Sequence, residues 1–130
     1  MNGAVDAIMH IIHTPFSTNY LMNKNIVVII IPEKQGDKGF ISGIGQKIAF
    51  DPPLVGFKHY DAFYDSFTNA LLDMNSPIEM AIVMSNDSFH DHTFRKALAF
   101  QVLEDAELLL RSFGHSLDIT VHVVSAMTVR

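Results

Sequence analysis

A run of six β-branched residues at positions 26–31, closed by Pro32, is the most apolar stretch of the chain. β-Branched side chains favour a pleated strand, so the run predicts a central strand over residues 25–32 that is buried on both faces. The apolar residues 78–84 predict a second strand. At residues 117–123 apolar and polar side chains alternate, which predicts a strand with one wet face.

Two segments repeat apolar residues at spacings of three and four, which is the pattern of an amphipathic helix. Residues 4–13 predict a short N-terminal helix that ends before Pro15. Residues 58–74 predict a longer helix, on which Asp61 and Asp65 lie beside the apolar stripe. That stripe consists of Tyr60, Phe63, Tyr64, Phe67, Leu71 and Met74.

A third predicted helix is long and covers residues 89–113. Ser88 and Asp91 have capping-box spacing at its start, and Gly114 follows its end as a C-cap. Its apolar residues leave only a narrow polar stripe, so a single domain is not expected to bury all of them. They are Leu98, Ala99, Phe100, Val102, Leu103, Ala106, Leu108, Leu109 and Leu110.

The segment 33–46 contains four glycines and predicts a mobile surface loop. A short strand is predicted directly after it, over residues 47–50. A phosphate-binding loop runs from a strand directly into a helix. Since the element expected next is a strand, these glycines do not indicate a phosphate site.

The predicted elements follow the order helix, strand, short strand, helix, strand, long helix, strand. A strand-helix-strand order favours parallel pairing through a crossover connection. We therefore predict a single α/β domain over residues 1–130. It has a small mixed or mostly parallel sheet of three or four strands, two main helices and the short N-terminal helix.

The absence of cysteine excludes disulfides, thiolate metal ligands and a cysteine nucleophile. The first residues lack the basic and then apolar pattern of a secretory signal, so we expect a cytoplasmic protein. The longest apolar run is far shorter than the roughly 20 residues that cross a bilayer as a helix, and no membrane partner is expected. No motif predicts a cofactor.

The net charge of −5 is unevenly distributed along the chain. Residues 51–107 carry ten acidic side chains against three basic ones, whereas the segments on either side are each net +1. A strongly acidic segment repels phosphate backbones and attracts basic proteins. The sequence therefore argues against nucleic-acid binding and for a basic protein partner.

The first functional hypothesis is a small acidic protein-binding module, such as an immunity protein or antitoxin that inhibits a basic toxin or nuclease. Complementary charge would accelerate the encounter and help to select the partner. The predicted contacts are acidic residues of the two main helices, with two tyrosines as aromatic anchors. They are Asp61, Asp65, Glu104, Asp105, Glu107, Tyr60 and Tyr64.

Two alternatives remain open. One is a structural or assembly subunit of a phage particle or secretion apparatus, which forms homo-oligomers through the apolar long helix. The other is a metal-dependent hydrolase in which His90, His92 and Asp87 bind the metal. Residues two apart on a helix point about 200° away from each other, so the two histidine rings would diverge at a helix start. The sequence therefore favours a protein that is not an enzyme.

Overall fold

The computed structural model describes residues 24–54, 56 and 59–125 of the chain. The strands of this part are β1 (Asn25–Ile30), β2 (Ile78–Ser85) and β3 (Leu117–Val124). Its helices are α1 (Gly36–Gly45), α2 (Tyr60–Leu72), the short α3 (Asn86–Phe89) and α4 (Lys96–Ser112). They follow the order β1, α1, α2, β2, α3, α4, β3, which confirms the predicted α/β class.

The three strands form a parallel sheet in the order β1, β2, β3. Ile29 lies opposite Ile82, which lies opposite Val121. Because β2 is paired on both sides, it is the central strand, and nearly all of its side chains are buried. The prediction that residues 25–32 form the central strand is therefore wrong for the described sheet. There β1 pairs with β2 alone, and most of its side chains are half-buried.

Helices α1, α2 and α4 share one hydrophobic core with one face of the sheet, which we call the first face. Alternate strand residues point into this core, as the pleat of a strand requires. Its buried members include Ile29, Ile78, Met80, Ile82, Met84 and Leu117 from the strands, and Phe40, Ile44, Phe63, Phe67, Leu71, Ala99, Leu103 and Leu110 from the helices. The apolar stripe predicted for α2 is thus confirmed as its core side.

The predicted mobile loop at residues 33–46 is wrong, because most of this segment is helix α1. Its glycines allow the helix to approach β1 closely: a Cβ atom on Gly43 would come within 3.0 Å of the Ile31 side chain. Phe40 and Ile44, four residues apart, are fully buried from the same side of the helix. The four-residue spacing of Phe40 and Ile44 is the feature that indicates a helix. Gly43 allows this helix to pack closely against the end of β1.

The predicted short strand at residues 47–50 is also wrong. The backbone amides of Lys47 and Ile48 donate to the carbonyl oxygen of Ile44, at 3.1 and 2.9 Å. These bonds continue the last turn of α1, and the side chain of Ile48 is buried in the core. The segment therefore begins with the turn that follows α1, and it pairs with no described strand.

The long helix predicted from residue 89 begins only at Lys96. Oδ1 of Asp91 accepts hydrogen bonds from the backbone amide and the hydroxyl of Thr93, at 2.9 and 2.8 Å. Because an acidic side chain that binds its neighbouring backbone competes with helix formation, these bonds favour a turn at this point. The turn separates α3 from α4.

The N-cap of the helical segment that follows β2 also differs from the prediction. Ser85, and not Ser88, is the N-cap, because the Ser85 hydroxyl accepts the backbone amide of Ser88 at 3.0 Å. The predicted capping box of Ser88 and Asp91 is therefore wrong. Gly114 does follow α4 with a φ of +77°, the left-handed conformation expected of a glycine C-cap.

The helix predicted over residues 4–13 lies outside the described residues. In the part of the chain that the structure describes, no helix combines the length and the apolar character needed to cross a membrane.

Candidate functional site

Helices α2 and α4 pack against each other, and each has an outward side. Asp61 and Asp65, one turn apart on α2, are both exposed. On α4, a stripe of four residues repeats at spacings of four, three and four, which places them along one side of the helix. These residues are Leu98, Val102, Asp105 and Leu109.

Tyr64 connects the two helices electrostatically. Its ring is half-buried, and partial burial raises the pKa of its phenol above the ordinary value. The negative charges of Asp105 on α4 and of Asp65 on α2 raise this pKa further, in that order. The packing of α2 against α4 accounts for an effect of Asp105 on a phenol of the neighbouring helix. We call Asp61, Tyr64, Asp65, Leu98, Asp105 and Leu109 the α2–α4 surface.

A surface groove crosses this region. It is lined by Tyr64 of α2, by Leu109 of α4, and by Pro52 and Leu54 of the loop that precedes α2. Asp65 also lines the groove. The α2–α4 surface therefore combines apolar walls with a carboxylate, which suits a side chain that is apolar along its length and basic at its tip.

The carboxylates of this surface are available to a cation from solution. Between described residues, Asp61, Asp65 and Asp105 form no ion pair. Asp105 accepts a 2.9 Å hydrogen bond from Nε2 of Gln101, one turn earlier on α4. That neutral donor leaves the negative charge of Asp105 in place, so the surface attracts positive charge.

Large apolar side chains are exposed near these carboxylates. On α4, Leu98 is 46% exposed and Leu108 is 53% exposed. Phe113, directly after the helix, is 62% exposed. Leu98 and Leu108 confirm the prediction that one domain does not bury the whole apolar side of the long helix.

No protein-family model matches the chain, and comparison with curated proteins and with solved structures gives no match either. The description of the site accordingly depends on the geometry of this chain alone.

The structure separates Glu104 and Glu107 from the α2–α4 surface. Both line a different groove, between α4 and β3, together with Phe100 and Ile119. Oε2 of Glu107 accepts the backbone amide of Ile119 at 2.7 Å. Glu107 thus joins α4 to β3, whereas Glu104 is exposed to solvent.

Tyr60, predicted as an aromatic anchor, lies in the core with only 6% of its surface exposed. Its hydroxyl donates a 2.6 Å hydrogen bond to Oδ1 of Asp37, a buried residue of α1. Burial, followed by the bond and charge of Asp37, strongly raises the pKa of Tyr60, and the charge of Arg95 opposes this. A ring in this position is unsuited to binding a partner, so Tyr64 is the anchor that the surface offers.

Asp37 is a residue that the sequence did not single out. Its Oδ1 also accepts the backbone amide of Arg95 at 2.8 Å, and its Oδ2 accepts Nε of Arg95 at 2.7 Å. One carboxylate thereby joins the start of α1 to Tyr60 on α2 and to the start of α4. The sequence did not indicate a structural role for Asp37, because the glycine-rich segment that contains it was predicted to be a loop.

Within the described ranges, the histidine candidates do not come together as a metal centre. His90 and His92 lie in the turn between α3 and α4, and both are exposed, as is Asp87. His90 instead contacts Lys96, with 3.5 Å between Nδ1 and Nζ. Among the described residues, no three histidine or acidic side chains converge in a way that could hold a metal ion.

A polar cluster at the carboxyl ends of β1 and β2 was also missed. The hydroxyl groups of Ser85 and Ser88 are buried and lie 3.1 Å apart, and both donate to Oε1 of Glu33. The backbone amide of Lys34 donates to the Ser88 hydroxyl at 2.9 Å. Because these bonds are made within the cluster, it ties the turn after β1 to α3.

Proposed function

We propose that this protein is a small protein-binding module whose α2–α4 surface binds a basic protein. One observation carries the proposal: α2 and α4 pack against each other, and the half-exposed ring of Tyr64, the carboxylate of Asp65 and the side chain of Leu109 line one groove between them. Interface cores commonly use tyrosine as an anchor, and complementary charge steers a partner toward the surface. An immunity protein or antitoxin, acting in the cytoplasm on a cationic toxin or nuclease, is the class of protein that these features favour.

The central contact of this proposal is a lysine or arginine of the partner. Its aliphatic part would lie in the groove beside Leu109, and its charged end would lie between Asp65 and Asp105. A cation near the face of the Tyr64 ring adds a further favourable interaction. Leu98 supplies apolar contact area at the edge of the same surface.

The proposal is tested by affinity capture from the cells in which the protein occurs, with wild type and variants as bait. Asp65→Lys combined with Asp105→Lys reverses two charges on the surface. Asp87→Lys combined with Asp118→Lys makes the same change at exposed positions elsewhere. We expect a basic protein that is retained by wild type and the second pair, and lost with the first pair. Equal retention by all three baits overturns the assignment of the surface.

The exposed apolar residues in α4 and directly after it favour a second candidate function, a self-assembling subunit. Leu98, Leu108 and Phe113 would then be covered by a second copy of the chain. Light scattering on a sizing column distinguishes the two. An assembly built on these residues stays intact in moderate salt and dissociates in the Leu98→Lys, Leu108→Lys double variant. A monomer near 14.5 kDa at low and moderate salt excludes this candidate.

A further inference from the structure

Strand β3 is an edge strand of the described sheet, because β2 is its one partner there. Leu117 of β3 lies opposite Ile78 of β2, and the amide of Ile78 donates to the carbonyl oxygen of Ser116 at 2.8 Å. In a parallel ladder, alternate residues of a strand bond one neighbouring strand, and the remaining residues face the other side. Every second residue of β3 therefore directs its backbone N–H and C=O groups to the free edge. These residues are Leu117, Ile119, Val121 and Val123.

One of these edge groups already has a partner on α4. Oε2 of Glu107 accepts the backbone amide of Ile119 at 2.7 Å. This bond agrees with the register, since an amide that faced β2 would be used in the ladder. The described part of the chain supplies no such acceptor for the amide of Val121, two residues further along the same edge. A strand edge with open backbone groups can pair with a further strand.

A groove of about 190 Å³ runs beside this edge, between α4 and β3. Four apolar side chains and two carboxylates line it, namely Phe100, Leu103, Ile119, Val121, Glu104 and Glu107. A cavity of about 150 Å³ with apolar walls holds a benzene molecule, so the groove has room for one large apolar side chain. Because alternate side chains of an added strand would point toward α4, one of them would lie in this groove.

The two carboxylates make the groove negatively charged. Glu104 is exposed, and between described residues neither Glu104 nor Glu107 forms an ion pair. The neutral amide of Ile119 leaves the charge of Glu107 in place. A lysine or arginine combines an apolar stem with a positive tip and therefore suits this groove. Two copies of the chain paired edge to edge would bring the same carboxylates toward each other, so a basic partner is favoured over a second copy.

We propose that the free edge of β3 binds an extended segment of a basic partner, which adds to the described sheet as a further strand. The backbone of this segment would bond the open N–H and C=O groups of Val121. One large apolar side chain would lie in the groove beside Phe100, and a lysine or arginine two residues away would face Glu104 and Glu107. The proposal goes beyond the α2–α4 surface, because it uses another side of α4 and needs no contact with that surface.

The test measures the affinity of the full chain for a short, fluorescein-labelled peptide in which threonine alternates with lysine, leucine and lysine. By fluorescence anisotropy, this peptide should bind at least about tenfold more tightly than a twin with N-methylated backbone amides, which cannot donate to a strand edge. The Glu104→Gln, Glu107→Gln double variant should bind it about tenfold more weakly. The glutamine at position 107 retains an oxygen that accepts the Ile119 amide. Asp73→Asn combined with Asp87→Asn removes two charges at exposed positions elsewhere and should have little effect.

Hydrogen exchange of two neighbouring amides locates the bound peptide. The amide of Thr120 faces β2 and should be protected with or without peptide, whereas that of Val121 should become protected only when the peptide is bound. An unchanged exchange rate of Val121 at saturating peptide would overturn the proposal. Protection of Val121 that rises with protein concentration in the absence of peptide would also overturn it, and would assign the edge to a second copy.

Three affinity results would contradict the proposal as well. The first is that no binding of the peptide is detected, and the second is equal affinity for the peptide and its N-methylated twin, which would indicate attraction of charge alone. The third is loss of binding in the Asp65→Lys, Asp105→Lys variant, which would place the peptide on the α2–α4 surface. Peptide binding that this variant retains supports the β3 edge, whether or not the α2–α4 surface binds a basic protein.

Discussion

The hydroxyl of Tyr60 donates to Oδ1 of Asp37, and this bond connects α2 to α1 through two residues that lie 23 positions apart in the sequence. Asp37 is buried and accepts three hydrogen bonds in total, two of them from Arg95. Tyr60 is thereby fixed in the core, and the tyrosine ring of α2 that remains partly exposed is that of Tyr64. The same bond predicts how stability depends on mutation and on pH.

Replacement of Asp37 should strongly destabilise the fold. The Asp37→Ala variant leaves the buried Tyr60 hydroxyl and the backbone amide of Arg95 without their acceptor, at a cost of roughly 2–4 kcal/mol in the free energy of unfolding. Urea unfolding measures this loss. The exposed Asp73→Ala change is the control and should alter stability by no more than about 0.5 kcal/mol. An Asp37→Ala loss as small as that of the control would show that the carboxylate is dispensable.

Alkaline pH should destabilise the protein through Tyr60. The pKa of this phenol is higher in the folded protein than its ordinary value of 10.0, because the ring is buried and its hydroxyl is bonded to Asp37. An acid with a raised folded pKa stabilises the fold below its unfolded pKa, and this contribution is lost as the pH rises further. Above about pH 10 each pH unit should remove about 1.4 kcal/mol more from wild type than from Tyr60→Phe. Urea midpoints between pH 8 and pH 11 test this, and parallel curves for the two proteins would refute it.

The pKa of the Tyr64 phenol should change when the neighbouring carboxylates are neutralised. Asp105 and Asp65 both raise its pKa, with the larger effect from Asp105. The Asp105→Asn variant should therefore lower this pKa, and Asp65→Asn should lower it less. Ultraviolet titration, with Tyr64→Phe to identify the signal, measures the shift. A pKa that is unaffected by Asp105→Asn would mean that the two helices do not bring their carboxylates together.

Gly36 and Gly114 form a matched pair for backbone strain. Both have positive φ, at 60° and 77°, but a Cβ atom on Gly36 would overlap the Thr93 side chain, whereas one on Gly114 meets open space. Gly114→Ala should cost about 1 kcal/mol for the left-handed backbone alone. Gly36→Ala should cost roughly 1–3 kcal/mol more because of the overlap. Equal losses in urea unfolding would show that Thr93 adapts freely.

Much of the architecture could be predicted because its signals are local. Two apolar runs indicated β1 and β2, and the alternation of apolar and polar residues indicated β3. The spacing from Phe63 to Leu71 indicated the core side of α2. Helix α1 was missed because glycine normally marks a loop, and nothing in the sequence shows that Gly43 must approach Ile31. Helix α4 begins later than predicted because the carboxylate of Asp91 accepts two hydrogen bonds from Thr93. These bonds replace the capping box that Ser88 and Asp91 were predicted to form.

The site could be predicted only in part, for a similar reason. Helical spacing places Asp61 and Asp65 on one side of α2, and the structure adds that α4, which carries Asp105, packs against α2. Sequence spacing does not determine which side of α4 faces α2. Glu107 was therefore grouped with Asp105, although its carboxylate accepts a hydrogen bond from the backbone of β3. The burial of Tyr60 depends on Asp37, a contact between distant parts of the chain.

The most direct test of the central claim is the affinity of the captured basic protein for wild type and for the Asp65→Lys, Asp105→Lys variant, measured by titration calorimetry at two salt concentrations. We predict at least a tenfold weaker affinity for this variant, or about 1.4 kcal/mol, and binding by wild type that weakens as salt rises. The Asp87→Lys, Asp118→Lys control should bind as wild type does. Equal affinity of both double variants, or wild-type binding that is insensitive to salt, would contradict the account of the α2–α4 surface.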